Sequence, residues 1–231
     1  MFDAVITSDE GTAKIFRRRG SKRVVVLHNF PKVEYFSDES LRRVEKRYDL
    51  VYHGSIPKYH LVTAFDVARE LKERGRQVHW LFFGTCHDSE WARQQIRDLG
   101  LEDMFEIKGR VEHDKVASLV AEARIGFIPL PDMPKFHRNI PMKLFEFMAL
   151  RMPTVLSDLP PSRPFVGDGE CATMVRPGST PEFADAIERL LDNPKLCAQM
   201  GSVGRDRVES QYNWQKESRK LLNLQLEVSS N

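Results

Sequence analysis

Apolar and polar positions follow two rhythms along this chain. Residues 49–53, 78–83, 104–108, 125–129, 153–156 and 171–175 form short apolar runs rich in Val, Ile or Phe, the pattern of strands buried on both faces. Longer stretches lie between them. In 60–74, Leu61, Val62, Phe65, Ala68 and Leu71 fall near the i, i+3/i+4, i+7 spacing of one helical face, with Arg69, Glu70, Lys72 and Glu73 mostly opposite. The same period recurs in 113–123 through Val116, Leu119, Val120 and Ala123, and in 182–192 through Phe183, Ile187, Leu190 and Leu191. Strands joined by amphipathic helices predict an α/β, Rossmann-like fold: a mainly parallel sheet with helices on both faces.

The ends of the chain read differently. Residues 2–7 and 23–28 are strand-like and flank a helix over 9–19 capped by Ser8, which makes one β-α-β unit. After Asn29-Phe30-Pro31 the chain is mostly polar, without apolar period, up to Tyr48. This places a small N-terminal unit over 1–30, a linker over 31–48 and the main domain over 49–231. Thr180-Pro181 suits an N-cap followed by proline in the first turn, Asn193-Pro194 closes that helix and opens the next, and 194–228 reads as all helical.

Composition narrows the function classes. With 231 residues the chain can bury one substantial core plus extras, and 41% hydrophobic with 29% charged residues is globular composition. A net charge of +2, from 35 basic and 33 acidic side chains, gives no global field for nucleic acid or an anionic membrane. Cys86, Cys171 and Cys197 are widely spaced and lack a C-x-x-C pair, which suggests neither a disulfide framework nor a zinc site. Apolar runs such as Ile125 to Leu130 fall far short of the roughly 20 residues that span a bilayer, and Asp3, Asp9 and Glu10 interrupt any leader-like start. The expectation is a cytoplasmic protein. Its basic cluster Arg17 to Arg23 is a solvated helix end or, alternatively, a peripheral contact with the inner face of a membrane.

Chemistry is expected where strands give way to helices, because helix N-termini there offer free N–H groups and a positive dipole end. Gly54, Gly84 and Gly109 each follow a strand-like run, where the missing Cβ permits either a tight turn or close approach to a ligand. None forms a G-x-G-x-x-G or Walker A sequence. In Asn139 to Leu150, Pro141 suits the first turn of a helix that puts Lys143, Glu146 and Phe147 on one face and Leu144 and Met148 toward the core. A lysine at a helix start calls for an anion, since the dipole already supplies positive charge. On spacing alone, Lys143 and Glu146 read as a solvated pair rather than a site. No metal is expected, because His113-Asp114, His87-Asp88 and His137 lack ligand spacing. Trp80, Trp91 and Trp214 read as packing residues, and Phe136 as a loop residue that could line a pocket.

The order Gly54, Phe82-Phe83-Gly84, Ile107-Lys108-Gly109-Arg110-Val111, Pro141-Met142-Lys143-Leu144-Phe145-Glu146, Pro153-Thr154-Val155 and Ser157-Asp158-Leu159-Pro160 resembles family 4 of the retaining glycosyltransferases, of GT-B fold. The likeness runs from about residue 49 to about 225, and Val175-Arg176-Pro177-Gly178 and Tyr212-Asn213-Trp214 resemble the family's closing segments. Residues 1–30 are similar to the last β-α-β of its acceptor-binding domain, most of which this chain lacks.

The resemblance implies metal-independent, retaining transfer of a hexosyl group from a UDP-sugar or GDP-sugar to a glycan or lipid-linked acceptor, the acceptor side coming from the missing domain or a partner chain. It needs no cofactor. It implies ribose recognition by Glu146, neutralisation of the diphosphate by Lys143 and the N–H groups near Met142, base contacts from Gly109, Arg110 and Val111, and Gly54, Ser55 and Gly84 beside the phosphates. The sequence departs from the family at four points. Arg138 replaces the first Glu of the Glu-x7-Glu motif that ends at Glu146, and His60 stands where relatives carry a cation, with Lys58 as the substitute. Arg151 replaces a helix-ending glycine, predicting a different cap, and Pro164 replaces an acidic residue. A non-catalytic nucleotide-sugar module, a nucleotide-sugar epimerase and a flavodoxin-like regulatory domain are the other readings.

Overall fold

In the computed structural model, which describes residues 3–36, 41 and 43–229, the chain forms two parallel sheets. The smaller pairs β1 (Val5–Thr7) with β2 (Val24–Val26) across α1 (Glu10–Arg18). The larger has six strands: β3 (Tyr48–Ser55), β4 (Trp80–Thr85), β5 (Phe105–Lys108), β6 (Ala123–Ile128), β7 (Thr154–Ser157) and β8 (Ala172–Val175). Their order is β5-β4-β3-β6-β7-β8, all parallel. The expected fold class is the one observed. The chain winds outward from β3 to one edge, then returns to β6 on its other side, so the crevice at the carboxyl ends of β3 and β6 is the topological switch point.

Helices cover both faces of the large sheet. α2 (Lys58–Glu73), α3 (Ser89–Asp98) and α7 (Thr180–Leu191) bury Leu61, Phe65, Leu71, Ile96, Phe183 and Ile187 against one face. On the other, α4 (His113–Ala121), α5 (Met142–Ala149) and α8 (Pro194–Ser210) bury Val120, Leu144, Phe145, Phe147 and Val208. The short α6 (Arg163–Val166) follows β7. α9 (Trp214–Ser229) closes the described chain by returning to the small sheet, where buried Glu217 accepts the His28 backbone N–H at 2.9 Å and the Trp214 N–H bonds Pro31 O at 3.1 Å.

Several local readings are corrected. α1 is capped by Asp9, whose Oδ1 accepts the Thr12 N–H at 2.7 Å, rather than by Ser8. Ser179 is the N-cap of α7, which moves Thr180 and Pro181 into its first turn. The 194–228 stretch breaks at 211–213, where Asn213 turns its side chain onto the carbonyls of Val208 and Glu209. The expected linker holds a 3-10 turn over Val33–Phe36, while its residues 37–40 and 42 lie outside the described residues.

The end of α5 matters for the site. Arg151 takes the left-handed conformation, φ 56°, and the N–H groups of Arg151 and Met152 bond Met148 O at 3.1 Å and Phe147 O at 2.9 Å. That is the ordinary Schellman stop with an arginine in the glycine's place, so the cap is not of a different kind as expected. Gly201 lets α8 approach it, since a Cβ there would lie 2.0 Å from Arg151 O. Buried Arg205 donates to Ala149 O and Phe36 O, tying the start of the linker to the same helix end. Replacing Arg151 with glycine relieves the left-handed strain, and thermal unfolding is expected to show a gain of about 0.5–1 kcal/mol.

Candidate functional site

β3 brings two consecutive side chains to the switch point, one on each face of the sheet. Tyr52 joins the core on the α2 face, stacked on Phe82 at 5.2 Å between ring centroids, and its hydroxyl donates to Ser55 O at 2.6 Å. His53 points to the α5 face, stacked on Phe83 and met edge-on by Phe147. α5 begins just above them, with Pro141 at its N-cap and no side-chain cap on its first-turn N–H groups.

Two side chains of α5 meet these residues. Lys143 Nζ donates to Tyr52 Oη at 3.3 Å and lies 4.4 Å from the Tyr52 ring centroid, a cation over an aromatic face. Glu146 Oε2 lies 3.0 Å from His53 Nε2. Burial pulls the Lys143 ammonium down to about 8, with the Glu146 carboxylate partly opposing it. Burial pushes Glu146 upward, but the neighbouring His53, then Lys143 and His113, outweigh it and hold the carboxylate below its ordinary range. The start of α5 therefore presents a half-buried ammonium, without an acidic side-chain hydrogen bond among the described residues, and an ionised carboxylate, about one helical turn apart.

The three glycines form a row along the carboxyl edge of the sheet. Gly54 and Gly84 are cross-strand partners inside β3 and β4, rather than following them, and the Gly84 N–H bonds Gly109 O at 3.1 Å. Their roles differ. A Cβ on Gly54 or Gly109 would meet nothing within 4 Å, whereas one on Gly84 would lie 2.0 Å from Gly54 O. Gly84 is fixed by strand packing, and the other two leave backbone open at the crevice.

Two cavities flank Met142. One, about 320 Å³, lies against Glu146, His113, Lys32, Tyr35 and Trp214; the other, about 250 Å³, lies between the starts of α1 and α5 and is lined by Ser8, Asp9, His28, Asn139 and Ile140. Exposed Arg110 and half-buried Val111 occupy the loop after β5, and Ser55 is exposed at the tip of β3.

Other residues singled out in the sequence lie apart from this pair. Lys58, in the first turn of α2, is directed to Asp88 at 3.2 Å and over the Trp91 ring. His60 is 4% exposed, packed among Tyr52, Tyr59 and Phe136 with both ring nitrogens unpaired among the described residues. Burial, then Lys143 and Lys135, push its imidazole down to about 3, so at neutral pH it carries no charge. Arg138 is exposed, its chain about 3.2 Å from where a Cβ on Gly11 would stand, in the first turn of α1. Tyr52 and His53 escape the sequence reading, which takes both as the end of the 49–53 strand-like run. The period-2 alternation along β3 is the signal that could have found them. Among the described residues, no group of three or more His, Cys, Asp or Glu side chains could hold a metal ion, and no helix is long and apolar enough to cross a membrane.

The sequence pattern of the glycosyl transferases group 1 matches residues 34–207, from the linker through most of α8. The chain belongs to this family. The alpha-D-kanosaminyltransferase of Streptomyces kanamyceticus is 30% identical over 173 residues, covering 71% of this chain and 44% of that protein. Sucrose-phosphate synthase from Thermosynechococcus elongatus superposes with a TM-score of 0.79 at 18% identity, over 100% of this chain and 59% of that one. Anabaena HepE, in complex with UDP-glucose, gives 0.79 at 16% identity over 99% and 64%. These two likenesses speak to the fold, and the site's chemistry rests on the residues themselves. The chain spans less than half the length of the curated relatives it matches.

Proposed function

We propose that this family member is the donor-binding half of a retaining glycosyltransferase. It holds a UDP-sugar or GDP-sugar and serves transfer of the hexosyl group to a glycan or lipid-linked acceptor, with no divalent metal required. One observation carries this reading: an ammonium and an ionised carboxylate stand together at the uncapped start of α5, at the switch point of a Rossmann-order sheet. A diphosphate fits beside Lys143 and the first N–H groups of α5, where it neutralises the ammonium, while Glu146 accepts from the ribose hydroxyls. Open backbone at Gly54 and Gly109 lets phosphate and base approach, with Ser55, Arg110 and Val111 beside them. Placing positive charge against the diphosphate stabilises it as it leaves the sugar, the task a magnesium ion performs elsewhere.

Acceptors approach across the cavity between α1 and α5, and the remainder of the acceptor side comes from further polypeptide. This chain alone is then expected to bind nucleotide and transfer little, in the cytoplasm. Arg138 favours a second reading, a nucleotide-sugar module without catalysis, because an arginine at that place supplies no acceptor for sugar hydroxyls. Calorimetry with UDP and GDP in EDTA tests the reading. Wild type is expected to bind one of them, and Glu146→Ala to bind it roughly 30-fold more weakly, about 2 kcal/mol. Equal binding by the two proteins contradicts the assignment. Release of free UDP or GDP from a nucleotide sugar by the chain together with an acceptor domain separates the enzyme from the module.

A further inference from the structure

We propose that His53 is a positioning residue for nucleotide recognition: it clamps one oxygen of Glu146, leaving the other to read the ribose, so that ribose selectivity passes through a side chain that never touches the ligand. This rests on the nucleotide reading of the Glu146 site and goes beyond it, since His53 matches none of the motifs that carry the family likeness.

Three features make His53 a rigid support. Its ring lies 5.4 Å from that of Phe83, nearly parallel at 18°, and 5.4 Å from that of Phe147 at 77°, and the residue is only 8% exposed. The wall itself is fitted: a Cβ on Gly126 of β6 would stand 2.3 Å from the Phe147 ring, so glycine there allows Phe147 to press against the sheet. The buried Nε2 makes no well-aligned hydrogen bond among the described residues, and the Glu146 carboxylate oxygen stands 3.0 Å from it as a close polar contact. If Glu146 swings aside, that buried nitrogen loses its close acceptor, and the penalty for a buried polar atom left without one holds the carboxylate in place.

Glutamate has three side-chain torsions, and a free one would lose that mobility on binding ribose. Here it is lost on folding instead, the general route by which preorganisation raises affinity. The clamp requires the Nε2–H tautomer, because the carboxylate only accepts. Among the described residues, the other titratable groups facing Glu146 are Lys143 on its own helix and His113 at the start of α4. Neither can replace the clamp. Lys143 is engaged by Tyr52, and exposed His113 packs against Tyr35.

The test compares UDP (or GDP, whichever wild type binds) with its 2′,3′-dideoxy analogue by calorimetry, in wild type, Glu146→Ala, His53→Phe and His53→Gln. His53→Phe is expected to lose about tenfold toward the ribonucleotide and less than twofold toward the dideoxy form. His53→Gln, whose amide can donate to Glu146, is expected to recover most of the loss. In the Glu146→Ala background His53→Phe should add nothing. In unsubstituted protein, 15N shifts of the His53 ring should show a protonated Nε2, a readout that does not depend on any variant folding.

Equal losses toward both nucleotides, or a protonated Nδ1 with bare Nε2, overturn the positioning role while leaving the nucleotide site intact. Failure of wild type and Glu146→Ala to differ toward the ribonucleotide overturns the site and the inference together.

Discussion

Lys143→Met is expected to make the empty protein more stable while removing most of its affinity for a nucleoside diphosphate. The ammonium is half-buried, held by one hydroxyl and one aromatic face, and pulled down from 10.5 to about 8. Keeping it charged costs about 3 kcal/mol on that basis, and partial exposure screens some of this, so methionine should gain about 2 kcal/mol in denaturant unfolding. A lysine whose folded value lies below its unfolded value destabilises fully below about pH 8, and the penalty fades as pH rises toward 10.5. The stability gap between Lys143→Met and wild type should therefore be widest below pH 8 and close by about pH 10.5. Binding moves the other way. Truncating a half-buried cation proposed to meet a diphosphate should weaken UDP or GDP by roughly 100-fold, about 2.7 kcal/mol. A loss of both stability and affinity would mark Lys143 as an ordinary packing residue.

Gly84→Ala is expected to disable the fold rather than the site alone. Its φ is +130°, and the new Cβ would lie 2.0 Å from Gly54 O on the neighbouring strand. Either the tips of β3 and β4 separate or Gly54 moves, at a cost of more than about 3 kcal/mol. Gly54→Ala meets no atom, so its cost is the left-handed conformation alone, about 1–2 kcal/mol. Thermal melts of the two variants separate packing from backbone strain. Equal melting temperatures would refute the close approach of the two strand tips.

The fold was legible because a parallel sheet covered on both faces writes its strands as plain apolar runs, and all six strands of the large sheet lie within about two residues of those runs. Boundaries slipped where two explanations compete locally. Gly54-Ser55 and Gly84-Thr85 look like loop but continue β3 and β4, because strand pairing tolerates glycine where the next strand must come close. Ser8 and Asp9 are both good caps, and only geometry shows that the longer carboxylate reaches Thr12. The α3 helix, with Trp91, Ala92 and Ile96 among mostly polar residues, carries too weak an apolar stripe to stand out.

The site was half legible. Lys143 and Glu146 read by spacing as a surface pair and stood out only by their place among the glycine loops, and the structure supplies their partners. Tyr52 and His53 did not stand out, because each works through a contact more than 90 residues away in the chain, which no local period records. His60 illustrates the converse: its place in the chain suggests a phosphate partner, but Tyr52, Tyr59 and Phe136 wrap it into an apolar pocket where protonation is suppressed. Lys58 is directed instead to Asp88, the N-cap of α3.

The central claim is that the start of α5, at the crevice between β3 and β6, is a nucleoside diphosphate site. A crystal structure of this chain grown with UDP or GDP tests it most directly. The diphosphate is expected within hydrogen-bond distance of Lys143 Nζ and the first N–H groups of α5, with ribose hydroxyls on Glu146. Nucleotide bound elsewhere, for instance in the 410 Å³ cavity at the opposite edge of the sheet beside Arg124 and Arg151, with the start of α5 empty, would contradict it.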